Sequence, residues 1–238
     1  MSNVLTIFRR EVTTQFSSAL AGVVIPVFLI FVGVFSLFFQ DIFIIGVAEM
    51  RSIFFWMGLF YLLLVPAITM RAFAEEKRTG TLEMLVTLPI SEAEMVVGKY
   101  LASVAIILCT LVLSLTYPIT LSQVGALDWG PVIGGYLGLA FLGASFAAIG
   151  IAASAFAQSQ MVAFMLSFAV CLFPFATGFA LSSIPAEWLP LVQYLSFEYH
   201  FGNLAKGVVD SRNVIFYSSV IALFLHLAVF RLERRRLQ

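Results

Sequence analysis

Residues 129–186 form a run of 58 residues without a single Asp, Glu, Lys or Arg. In water such a run would need a dry interior larger than a chain of 238 residues can build. In lipid it is stable, provided each backbone N–H and C=O is satisfied within its own element. One helix crosses the bilayer in about 20 residues, so the run is too long for one crossing. Its only polar cluster, Gln158-Ser159-Gln160, predicts the break: a fourth span over 132–156 and a fifth over 161–181.

The rest of the chain follows the same pattern. It is 61% hydrophobic and 11% charged, against about 45–50% and about 25% for an ordinary soluble domain. Uncharged stretches predict further spans over 20–39, 52–70, within 100–127, and over 213–230. The apolar runs are continuous rather than alternating in segments of about ten residues, which favours helices over a barrel. The expected fold is all-α: one polytopic domain over 1–238 with six transmembrane helices, whose first partner is the lipid bilayer. Net charge is zero, so no global field recruits nucleic acid.

Lys and Arg set the orientation. With six spans, one side holds Arg9, Arg10, Arg71, Lys77, Arg78, Lys99, Arg231, Arg234, Arg235 and Arg236, and the other only Arg51, Lys206 and Arg212. This bias places both termini in the cytoplasm. The N-terminal region, 1–18, puts Leu5, Phe8, Val12 and Phe16 on one helical face, with Arg10, Thr13 and Thr14 on others. It is expected to lie along the cytoplasmic interface, and nothing in it forms a cleavable signal. The outer segment and loop 184–213 contain an apolar stretch, 188–197, too short to cross and bounded by Pro185, Pro190 and Glu198. It is either a re-entrant segment shielded by protein or an interfacial loop anchored by Trp188 and Tyr194. In the re-entrant reading Trp188, Leu191, Leu195 and Phe197 are candidates for an outer gate. Phe197, Tyr199 and Phe201 then sit near the outer boundary, while Glu198 and His200 face water or polar protein groups.

Residues that could carry chemistry are few. Gly98-Lys99 is the one Gly-Lys pair, but Tyr100 follows it and Ala93 stands where a phosphate loop needs glycine. His200 and His226 have no ligand-type neighbours at metal spacing. His226, inside the sixth span, is read as a helix–helix hydrogen-bond partner, with a functional role as the alternative. Cys109 and Cys171 fall in apolar runs and read as small buried hydrophobes. No carboxylate, Lys or Arg lies mid-span, which argues against an ion-coupled carrier and an intramembrane hydrolase. Neither a catalytic residue nor a cofactor or metal site is expected. The fourth span is rich in Gly and Ala, including Gly134, Gly138, Gly143 and Ala147. Such a face allows close helix approach, either within the subunit or at a dimer seam.

The loop from Glu75 to Lys99 is the most ordered-looking polar stretch. A charged approach, Glu75-Glu76-Lys77-Arg78, precedes Gly80, which can turn the chain. Thr81 can cap a short helix with Glu83 in its first turn and Leu82, Leu85 and Val86 on one face. Pro89 ends it. Ser91 and Glu94 then form a capping box for the third span, with Ile90 and Met95 as its hydrophobic staple.

This stretch resembles the signature loop of ABC-2 type permeases, the transmembrane subunits of ATP-driven exporters. The segments Ser196-Phe-Glu-Tyr-His-Phe and Lys206-Gly-Val-Val-Asp-Ser-Arg-Asn-Val-Ile-Phe-Tyr217 resemble the gliding-motility and nitrous-oxide-reductase maturation branch of that family. The resemblance implies a bacterial inner-membrane permease subunit, paired with a second, identical or different one. A dimer of separate cytoplasmic ATPase subunits would bind ATP and Mg in its place. It implies a coupling region over 75–95, with the helix 81–88 seated on the ATPase and Glu75, Glu76, Lys77 and Arg78 as flanking contacts. A periplasmic or membrane-anchored accessory protein is a further implied partner. The alternative function is a non-transporting scaffold of the same architecture that passes ATPase-driven motion to a periplasmic partner.

Overall fold

A chain whose backbone must satisfy itself in lipid folds as helices, and among the described residues there is no strand. The computed structural model describes residues 2–17, 19–39, 49–81, 90–180, 185, 187–207 and 210–236. The helices are α1 (Ser2–Ser17), α2 (Ala19–Phe39), α3 (Arg51–Thr69), α4 (Arg71–Arg78), α5 (Glu92–Ser114), α6 (Thr116–Val124), α7 (Trp129–Phe156), α8 (Gln160–Ala180), α9 (Leu189–Leu195), α10 (Phe197–Ala205) and α11 (Ser211–Arg236). Five stretches are long and apolar enough to cross a membrane: α3 with α4, α5 with α6, α7, α8 and α11. α1 and α2, bent 70° from each other, make a sixth if the pair is taken as one span. The apolar runs of the sequence are thus long helices of an all-α membrane protein with five or six candidate spans.

One boundary differs from the sequence reading and one agrees with it. Glu75, Glu76, Lys77 and Arg78 do not approach the loop as loop residues; they are the last turn of α4. No Gly or Pro interrupts 71–79, these are good helix formers, and Lys77 and Arg78 suit the negative end of the helix. Gly80 stops the helix in the left-handed conformation, φ 73°, and its N–H donates to the Lys77 carbonyl at 3.3 Å. The third span begins where its capping box places it. Ser91 and Glu94 form the full capping box at Glu92, and the first two turns of α5 stand on charged residues.

The junction of α5 and α6 has a specific cause. Pro118 has no N–H to give the Ser114 carbonyl one turn earlier. Tyr136 of α7 supplies that hydrogen instead, its hydroxyl donating to Ser114 O at 2.9 Å. The neighbouring Tyr117 donates to the Leu29 carbonyl and ties α6 to α2.

α7 is the central helix, packed against α3, α4, α5, α8, α10 and α11. Its apolar window is 78% buried, against 22% for α8 and for α11, so the latter two line the outside of the bundle. The small residues explain the difference. A methyl at Gly134 would collide with the backbone of Leu204 and Gly207, and one at Gly135 with the Phe54 ring. The Gly/Ala face therefore packs within the subunit. Cys109 is half-buried and Cys171 buried, and both are free. His226 lies on the exposed face of α11, with no hydrogen bond to another described residue to support the helix–helix role.

Opposite ends of the bundle collect different segments. At one end Phe73, Met95, Val96, Ile151, Ala155 and Leu232 share a buried cluster, with Ile7 packed against it. That end holds α1, α4, the start of α5, the end of α7 and the C-terminal part of α11. At the other, α9 and α10 meet the start of α7 and the start of α11.

Candidate functional site

The residues 82–89, with Leu82, Glu83, Leu85 and Pro89, lie outside the described residues. The loop they belong to is described at both of its roots, and each root is fastened to the bundle.

The first root is the end of α4. Lys77 Nζ donates to the carbonyls of Ala157, at 3.0 Å, and of Ala155. These are among the last carbonyls of α7, which have no partner within their own helix. A cation there also meets the negative end of the helix dipole. Ser154, one residue earlier, completes the joint. Its hydroxyl accepts from the N–H groups of Phe73 and Ala74 at 3.0 Å each and donates to Met70 O at 3.0 Å. The unbonded first turn of α4 and the end of α7 thus satisfy each other through one serine and one lysine. Arg78 and Glu75 remain on the surface, paired at 2.8 Å. Thr79 and Thr81 hydroxyls lie 2.9 Å apart beside Gly80.

The second root is the start of α5. Lys99 is 3% exposed, and its ammonium group lies 2.7 Å from Glu11 of α1 and 2.7 Å from Glu76 of α4. The Phe73 ring sits 5.3 Å from the same nitrogen. Three elements distant in sequence therefore meet at one buried cation. Asn3 donates to Glu94 Oε2 at 3.3 Å, and a methyl at Gly98 would stand 2.8 Å from Ile7 Cγ2. α1 thus packs along the first turns of α5 through Asn3, Ile7 and Glu11. Gly98-Lys99 is the seat of this contact.

Of the proposed coupling residues, Glu76 and Lys77 point into the protein, Glu75 is half-buried, and Arg78, Gly80 and Thr81 stand at the surface beside the loop. Sequence reading missed Glu11, Lys99, Asn3 and Ser154. A signal existed for two of them. Glu11 is the one acid in the amphipathic helix, and Lys99 is the last charge before a span, so each invites an opposite partner.

At the end of the bundle opposite the loop roots, α9 and α10 form a hairpin joined at Ser196. Ser196 caps α10 by accepting from Tyr199 N at 3.3 Å. The four gate candidates separate. Trp188, Leu191 and Leu195 are exposed on α9, while Phe197 is buried among Phe146, Phe216 and Tyr217. Tyr217 donates to the Phe197 carbonyl at 3.0 Å. Phe201 is buried as well, whereas Tyr199 stays at the surface. His200 is held by polar protein groups: Nδ1 is 2.7 Å from Asn213 Oδ1 and Nε2 is 3.0 Å from the Tyr194 carbonyl. The ring stacks on Phe216 at 4.1 Å.

The family model for the ABC-2 family transporter protein matches residues 59–237, which include both loop roots, the central helix and the hairpin of α9 and α10. The chain belongs to the ABC-2 transporter family. It is therefore a multi-pass membrane subunit of an ABC transporter, in a family whose members partner with an ABC ATPase and are not generally catalytic themselves. A comparison with curated proteins finds no match. For an ABC-2 subunit the feature of interest is how the polar loop 79–91 is joined to its helices, and both joints are buried ionic and hydrogen-bonded contacts.

Proposed function

We propose that this ABC-2 subunit couples ATP hydrolysis by separate cytoplasmic ATPase subunits to outward movement of a substrate across the bacterial inner membrane. It does so as one of two paired permease subunits, with both termini in the cytoplasm. ATP and Mg are held by the ATPase partner. The stretch 81–88 docks on that partner through Leu82 and Leu85, with Glu83 in its first turn, Pro89 at its end, and Glu75 and Arg78 at its edge. The observation that supports this reading is the fastening of both loop roots. A chain that receives work through one loop must pass it to its spans, and Lys77 and Lys99 join that loop to α7, α5 and α1 without slack. The positive-inside bias supports the orientation.

The test is co-purification in mild detergent. Leu82→Asp and Leu85→Asp remove apolar anchors, and the docking is expected to weaken by a few kcal/mol, as for buried interface anchors. The ATPase is then lost from the purified complex while the permease still inserts. Retention of the ATPase by both variants would show that 81–88 is not the docking element. ATP-dependent cargo movement in liposomes separates the exporter from a non-transporting scaffold of the same architecture.

A further inference from the structure

The two ends of α7 are each bonded to or packed against a different segment, and the helix between them is continuous and buried. At the end of α7, Ser154 and the carbonyls of Ala155 and Ala157 are bonded to α4 through the backbone of Phe73 and Ala74 and through Lys77. At its start, Gly134 lies against the backbone of Leu204 and Gly207, and Gly138 against Phe201 and Leu204 of α10. A methyl at Gly138 would lie 3.0 Å from the Phe201 ring. Between these contacts runs one uninterrupted helix of 28 residues, about 42 Å long at 1.5 Å per residue. Its one Pro, at position 131, lies in the first turn, and its interior glycines, Gly134, Gly135, Gly138, Gly143 and Gly150, are packed tightly enough that an added methyl would meet a neighbour.

We propose that α7 is the rod that carries displacement of the coupling loop to the outer hairpin, with Lys77 and Ser154 as the positioning residues that engage it. Resting on the coupling reading above, it assigns the route and the two residues on which the route depends. Three arguments converge. The joint at Lys77 uses otherwise unsatisfied carbonyls, so pulling α4 away leaves buried C=O and N–H groups without partners, at about 1–3 kcal/mol each. The helix is packed on nearly all sides, and close-packed interiors transmit strain rather than absorb it. The far contact is backbone against backbone at glycine, where no side-chain rotamer can give. A shift of α4 therefore moves α7 with it, and α7 moves α10, which carries Phe197 and His200. The competing route runs along α3, which continues into α4 through Met70 in helical conformation; the variants below cut only the joint between α4 and α7 and so separate the two routes.

The experiment uses the complex of permease and ATPase in nanodiscs, with Cys109→Ala and Cys171→Ala as background. Single cysteines report from two places: Ala93→Cys beside the loop and Leu191→Cys on the exposed face of α9. Labelling by a polar maleimide is timed with and without ATP plus vanadate. In the otherwise unaltered chain both rates are expected to change with nucleotide. Lys77→Met, which keeps the stem and removes the donors, should abolish the response at Leu191→Cys and leave that at Ala93→Cys. Lys77→Arg should restore it. Ser154→Ala, which removes three hydrogen bonds without touching a charge, should give the same loss and serves if Lys77→Met does not assemble. A response at Leu191→Cys that persists in both Lys77→Met and Ser154→Ala overturns the proposal. So does a response at Ala93→Cys alone in the unaltered chain, which leaves the coupling reading standing. Silence of both reporters in the unaltered chain rejects the coupling reading and the rod with it.

Discussion

Lys99 Nζ lies 2.7 Å from Glu76 Oε1, and this contact closes the loop that runs from the end of α4 to the start of α5. The same nitrogen holds Glu11, so one lysine joins an N-terminal helix, the end of the second span and the start of the third. Removing the cation from such a site leaves two carboxylates facing each other out of water. Lys99→Met is expected to destabilise the fold by about 3–5 kcal/mol, as for a broken buried ion pair. The triple change Lys99→Met, Glu76→Gln, Glu11→Gln should recover most of that loss. Equilibrium unfolding in detergent micelles measures both. Equal loss in single and triple variants would mean that packing, not charge, is at stake.

Tyr136 and Pro118 form a second linked pair. Tyr136→Phe removes the hydrogen that the Ser114 carbonyl receives, and should cost about 1 kcal/mol, in the range of interhelical hydrogen bonds in membranes. Pro118→Ala restores the backbone N–H that Ser114 lacks. In that background Tyr136→Phe should be close to neutral. A double-mutant cycle reads the coupling directly, and a cycle that sums to zero would remove Pro118 from the explanation.

The close approach at Gly134 gives a contrast within one residue type. A methyl there meets the backbone of Leu204 and of Gly207, whereas one at Gly22 meets nothing within 4 Å. Gly134→Ala should cost about 1–3 kcal/mol by overpacking. Gly22→Ala should be neutral or stabilising through helix propensity. Thermal unfolding of the two variants side by side decides it.

Glu198 supplies a pH dependence. It sits in the first turn of α10 with its side chain against Gly178 of α8. Burial raises its carboxyl above the usual range, an effect that Lys206 partly offsets. The folded chain therefore keeps a proton that the unfolded chain has released. Stability from this group is full below the ordinary carboxylate range and falls as pH rises through the raised folded value. Glu198→Gln should flatten the stability profile over that window and leave it unchanged below. A profile that the substitution does not alter would show that Glu198 is not the titrating group.

The sequence by itself determined the class of fold. Charge-free runs of span length, a polar break at 158–160 and the asymmetry of Lys and Arg are local properties, readable because lipid forbids any alternative to the helix. The capping box at Ser91 and the turn at Gly80 were legible for the same reason, since both act within a few residues. Only the tertiary structure decided which charges belong together. Glu11 and Lys99 are 88 residues apart, and Lys77 meets carbonyls of residues that carry no polar side chain at all, Ala155 and Ala157. The outer gate candidates show the same limit. Phe197 shares the composition of Leu191 and Leu195, yet the cap at Ser196 starts a new helix and turns it into the core. Apolarity tells a residue to leave water; in a membrane protein, lipid and protein interior satisfy that demand equally, and only packing chooses between them.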